Sequence, residues 1–120
     1  EEQPFVSNGP HFAAAAREYP EAVLVMAHIS GGGDWEWSLK AIADYSNIYT
    51  DMSGSVCDDG LMEKTVRMLG AQRVLFGTDG SYSACLGKIV GADLTEEEKI
   101  TILNNPNFER YLSRGREESK

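Results

Sequence analysis

The sequence predicts an α/β fold on a parallel sheet, and three observations carry that prediction. Short strand-like runs recur about every 25 residues, over 22–28, 47–51 and 73–77, each ending at a polar turn and feeding a helix-like run. The first, Ala22-Val-Leu-Val-Met-Ala-His28, is apolar almost throughout without alternation, the pattern of a strand covered on both faces. Strand patterns that alternate with helical ones belong to parallel sheets with right-handed crossovers.

The elements follow in order. Residues 1–9 read as a loop, with Pro4, Ser7, Asn8 and Gly9 as turn formers. Pro10 suits a first helical position, with Ser7 or Asn8 near the cap, and the helix runs through Phe12–Glu18 to stop before Pro20. Strand 22–28 leads to Asp34, a good N-cap for a helix over 35–45 with Trp35, Leu39, Ile42 and Ala43 on one stripe. Strand 47–51 follows. Asp58 or Asp59 can cap a helix over 60–69, which carries Leu61, Thr65, Met68 and Leu69 in register and is ended by Gly70.

Strand 73–77 comes next, then 80–94, which reads as irregular because of Gly80, Gly87 and Gly91. Thr95-Glu-Glu-Glu98 is a capping-box start for a helix to about Leu103. Asn105-Pro106 breaks it, a last short helix covers 107–113, and 114–120 is expected to be a disordered polar tail. The order α-β-α-β-α-β-α makes 1–113 one unit. Three strands alone would leave two long apolar edges open. Either the chain is the end of a larger barrel, or it self-associates, or it is marginally stable.

Composition excludes several function classes. The chain has 120 residues, 42% hydrophobic and 25% charged, ordinary for a soluble globular protein. A formal charge of −8 with scattered Lys and Arg disfavours nucleic acid and anionic membrane surfaces alike. No run of 18 apolar residues offers a membrane span. The start, Glu-Glu-Gln-Pro-Phe, shows no signal peptide and lacks a methionine, so it is not expected to be the natural beginning. Cys57 and Cys85 stand far apart with no Cys-x-x-Cys. Both read as free thiols of a reducing compartment, the cytoplasm by default.

Chemistry is expected at the carboxyl ends of the strands, where α/β barrels and open α/β sheets keep it. His28 closes the first strand. It reads as a hydrogen-bonded strand-end histidine or, from its position, as a metal ligand or general base. Gly31–Gly33 let backbone approach a ligand, and the following helix points its positive end there, though the Walker lysine and dinucleotide spacing are missing. Asp79, just past the third strand, either caps the next helix or binds a cation as a hard oxygen donor. Asp51 and Ser53 orient neighbours or cap a turn. His11 reads as a surface or loop-contacting residue, and Trp35 and Trp37 as core or rim, with stacking on a substrate as the alternative.

Taken in order, Leu24-Val-Met-Ala-His28-Ile-Ser-Gly-Gly-Gly, Asn47-Ile-Tyr-Thr-Asp-Met-Ser-Gly and Arg73-Val-Leu-Phe-Gly-Thr-Asp79 resemble the last three strand–helix units of the amidohydrolase-related metal-dependent hydrolases. That TIM-barrel branch also includes the aminocarboxymuconate-semialdehyde and resorcylate-type decarboxylases. Leu94–Asn105 and Phe108–Leu112 are similar too, so the resemblance spans about residues 10–112. It implies the carboxyl-terminal part of a (β/α)8 barrel and a small-molecule substrate. It also implies a divalent metal, zinc or manganese, with His28 as ligand or acid–base group and Asp79 as ligand and proton acceptor. The family's His-x-His pair and fifth-strand histidine have no counterpart here, since the chain has only His11 and His28. The resemblance thus implies a longer enzyme, either a hydrolase or a decarboxylase. A self-associating, non-catalytic remnant and an open domain binding a phosphorylated ligand at Gly31–Gly33 are the rival expectations.

Overall fold

The structure is a computed structural model that describes residues 7–31 and 33–117. The expectations placed on residues 1–6, Gly32 and 118–120 lie outside the described residues. Three strands form one parallel sheet in the order β1 (Leu24–Met26), β2 (Ile48–Asp51), β3 (Val74–Leu75). Leu24 pairs with Ile48, Met26 with Thr50, Thr50 with Val74 and Asp51 with Leu75. Between and after them lie α1 (Gly9–Glu18), α2 (Trp35–Ile42), α3 (Leu61–Leu69), α4 (Tyr82–Val90), α5 (Glu96–Leu103) and α6 (Pro106–Glu117). Among the described residues, no helix is long and apolar enough to cross a membrane.

Burial explains the pattern of the strands. Leu24, Met26, Ile48, Thr50 and Val74 share one face by register and alternation. Met26, Ile48, Thr50 and Val74 are fully buried there, in a core with Leu39 and Ile42 of α2 and with Leu61, Met62 and Val66 of α3. Thr50 keeps its hydroxyl satisfied in that core by donating to the Met26 carbonyl at 2.7 Å. On the opposite face Tyr49 is covered by α6, its ring centroid 5.3 Å from that of Phe108 and 6.2 Å from that of Tyr111. The central strand is therefore buried on both sides.

Two polar side chains tie helix ends to strand starts. The Arg73 guanidinium donates from Nη2 to Ile42 O, from Nη1 to Ala43 O and from Nε to Ile48 O, each at 2.8 Å. It closes the carboxyl end of α2, where a cation is favoured by the helix dipole. Asn105 accepts from the Phe108 N–H at 3.1 Å as the cap of α6, while its amide donates to Gln72 O and Val74 O at 2.9 and 3.1 Å. Thr95 and Glu98 make the expected capping box, Thr95 N–H donating to Glu98 Oε2 at 2.8 Å and Glu98 N–H to Thr95 Oγ1 at 3.2 Å.

Several expectations are corrected. The strands are shorter than 22–28, 47–51 and 73–77, so the open edges of β1 and β3 are three and two residues long rather than long apolar borders. Residues 80–94 are not irregular: α4 forms because Cys85 and Ile89, four apart, bury on one stripe despite Gly87. Asp34 makes no side-chain cap bond, and Gly60 rather than Asp58 or Asp59 stands at the cap of α3. Asp58 instead accepts from the Trp35 indole N–H at 2.7 Å. The last helix runs on to Glu117, so the segment read as a tail from residue 114 begins as helix. Both cysteines are free, Cys57 exposed and Cys85 buried.

Candidate active site

The strand ends of β1, β2 and β3 deliver three loops to one side of the sheet. After β1 the chain does not extend to His28 as a strand. It enters a tight turn over Ala27–Ser30 in which His28 (φ 61°, ψ 22°) and Ile29 (φ 49°, ψ 37°) are left-handed. After β3, Asp79 is left-handed as well, at φ 41°. Among the described residues these are the non-glycine positions with positive φ, and two of them are the residues singled out as chemical. Each costs of order 1–3 kcal/mol, and such strain persists where the surroundings impose it, often at functional sites.

The turns bring the two side chains together. His28 Nε2 lies 3.9 Å from Asp79 Oδ2, and both groups are well exposed. They lie too far apart to share a hydrogen bond and face an open cleft of about 610 Å³, also lined by Gly54, Ser55, Thr78 and Ser81. That volume is of the size that takes a small organic molecule.

Asp51, at the end of β2, stands behind His28. Its Oδ1 accepts the His28 backbone N–H at 3.0 Å, the Ser53 N–H at 3.0 Å and the Ser53 hydroxyl. Both sequence readings of Asp51 and Ser53 therefore hold, since the carboxylate caps its own turn and reaches the neighbouring strand end. Gly77 lies against it: a β-carbon there would be 3.3 Å from both Asp51 Cγ and Ser53 Cβ. Lys88 of α4 steadies the loop after β2, its Nζ donating to Gly54 O at 2.7 Å and Met52 O at 3.1 Å.

Other candidates sit elsewhere. His11 Nδ1 is 2.7 Å from Asn8 Oδ1 at the start of α1, a loop contact as expected. Trp35 is buried and Trp37 is 72% exposed, with Lys40 Nζ 4.8 Å from its ring. Sequence reasoning missed Gly54 and Lys88, whose partners come from residues 34 or more positions away or from a folded ring.

Paired ionisable groups at the carboxyl ends of parallel strands are the arrangement of an α/β-barrel enzyme. Compared with models of protein families, the chain matches the one described as amidohydrolase over residues 4–103, and it belongs to that family. The family's fold is a TIM barrel, and the three parallel strands with their helices are a partial barrel. No curated protein and no solved structure matches the chain.

The family generally uses divalent metals, and His28 and Asp79 can be tested against one. Tetrahedral geometry with bonds of about 2.0–2.2 Å sets two ligands of one zinc ion roughly 3.4 Å apart. The 3.9 Å between His28 Nε2 and Asp79 Oδ2 is wider than that, and a shared cation requires these two exposed side chains to rotate closer. A catalytic centre takes about three protein ligands, and among the described residues no group of three His, Cys, Asp or Glu comes together. By chemistry the pair offers two ligands, and it does not complete a centre.

Proposed function

We propose that this chain supplies part of the centre of a metal-dependent hydrolase acting on a small molecule, with His28 and Asp79 as its working residues. The observation that carries the reading is the 3.9 Å approach of His28 Nε2 to Asp79 Oδ2 across an open cleft, both residues in left-handed turns. Asp79 offers a hard oxygen and His28 an imidazole nitrogen, a pair that suits zinc or manganese about equally. A divalent cation held there by Asp79 and His28 would lower the pKa of a bound water toward neutrality. Asp79 keeps a second carboxylate oxygen able to take a proton from water in the cleft. His28 serves as a ligand or, where its ring stays free, hands a proton to the departing group.

Decarboxylation is the alternative, in which the same pair holds a substrate carboxylate's counter-ion and His28 delivers the proton. A non-catalytic reading is favoured by a separate observation: Val25, on the open edge of β1, is 37% exposed. It expects metal-independent pairing of chains, unaffected by His28→Ala, in sedimentation velocity with chelator present.

The test is metal content after dialysis against zinc or manganese, read by elemental analysis. At dialysis equilibrium the chain is expected to bind metal weakly, as a two-ligand pair allows, and Asp79→Asn and His28→Ala to bind at least tenfold less with unchanged circular dichroism. Equal metal content in both variants sinks the proposal.

A further inference from the structure

We infer that Asp51 is a positioning residue: its carboxylate locks the left-handed turn that aims the His28 imidazole at Asp79. The inference concerns how His28 is held, and its use in catalysis rests on the function proposed above.

A histidine at φ 61° is uncommon, and Ile29 beside it, β-branched and at φ 49°, is a genuine outlier. Something must hold the turn. The His28 N–H points across to the next strand end and donates to Asp51 Oδ1 at 3.0 Å. That oxygen is itself fixed by two further donors, the N–H and hydroxyl of Ser53, and the absence of a side chain at Gly77 leaves room for the carboxylate. A hydrogen bond from an amide to a carboxylate contributes more than one to a neutral acceptor. It offsets part of the cost of holding His28 and Ile29 left-handed. Ile29, 2% exposed, adds its buried side chain to the restraint. Partners that orient a metal-binding or acid–base histidine typically change affinity or activity 10–100-fold when removed.

The experiment uses nuclear magnetic resonance on the full chain. His28 lies so close to Gly54 that a β-carbon on Gly54 would be 3.1 Å from the imidazole Cγ, so cross-relaxation between the His28 ring and the Gly54 α-protons reports where the ring sits. That signal is expected in the native chain, lost in Asp51→Ala and kept in Asp51→Asn, which retains a carbonyl acceptor. Its persistence in Asp51→Ala overturns the inference. If Asp51→Ala does not fold, Asp51→Asn decides: the weaker acceptor should quicken exchange of the His28 amide about tenfold while the Ile48 and Val74 amides keep theirs. Unchanged exchange at His28 overturns the inference. Zinc affinity, measured on the same proteins, separates the two ideas. Loss of the ring signal in Asp51→Ala without native zinc binding would uphold the lock and count against the metal reading alone.

Discussion

The His28 ring lies where Gly54 has no side chain. Gly54, on the loop after β2, has φ 84°, and a β-carbon built on it would collide with the imidazole Nδ1 and lie 3.1 Å from Cγ. The loop after one strand thus forms the wall against which the strand-end residue of its neighbour rests. Nε2 is left facing Asp79.

Gly54→Ala is therefore expected to act twice. The left-handed backbone strains any L-residue by about 1–2 kcal/mol, and the methyl group drives the ring out of its place. The expected result is a free energy of unfolding lowered by about that amount in urea titration, together with a loss of zinc binding as large as that of His28→Ala. Stability lost with zinc retention intact would show that the ring does not need this wall.

Arg73 is expected to matter for folding and not for chemistry. Its guanidinium is half buried, and burial pulls its pKa below the ordinary value. What keeps it charged is its three carbonyl acceptors from α2 and β2. Arg73→Ala should cost about 2–4 kcal/mol by denaturant titration, from lost charged hydrogen bonds and unpaired carbonyls. Arg73→Lys should recover little, because an ammonium cannot fork to three acceptors in one plane. Full recovery by lysine would mean that charge alone suffices.

Tyr49 gives the fold an alkaline limit. Burial, and then the neighbouring Tyr111 phenol, push the Tyr49 hydroxyl above the ordinary tyrosine pKa of 10.0. Its folded pKa is raised, so the unfolded chain releases this proton first. The contribution is full below pH 10 and is lost as pH rises through the folded value. Stability between pH 9 and 11 should fall more steeply in the native chain than in Tyr49→Phe, measured by thermal melting. Identical slopes would show that Tyr49 is not the group responsible.

The residues that act locally were legible without coordinates. The Thr95–Glu98 box needs only four consecutive residues, and it forms as read. The stripe of α3, the stop at Gly70 and the placement of β2 follow from periodicity and turn chemistry, which neighbours alone decide. His28 and Asp79 were legible as strand-end residues for the same reason. Helix α4 was not, because Gly87 argues locally against a helix and the compensation comes from Cys85 and Ile89 meeting a distant core. Asp34 stands at the N-cap of α2 as read, without a side-chain bond, whereas the cap read at Asp58 did not form: its carboxylate found the Trp35 indole, 23 positions away, a partner no local pattern announces.

By itself, then, the sequence determined an alternating α/β order, a parallel sheet, and which two ionisable residues stand at the strand ends. The family follows from those same runs, read in order. The tertiary structure alone decided that β1 stops at Met26, that His28 turns left-handed, and that Asp51, Gly54 and Lys88 surround it. The physical reason is separation. A hydrogen bond between residues 23 or 34 positions apart depends on the strand register that brings them together, and register is a property of the folded sheet, not of any local window of sequence.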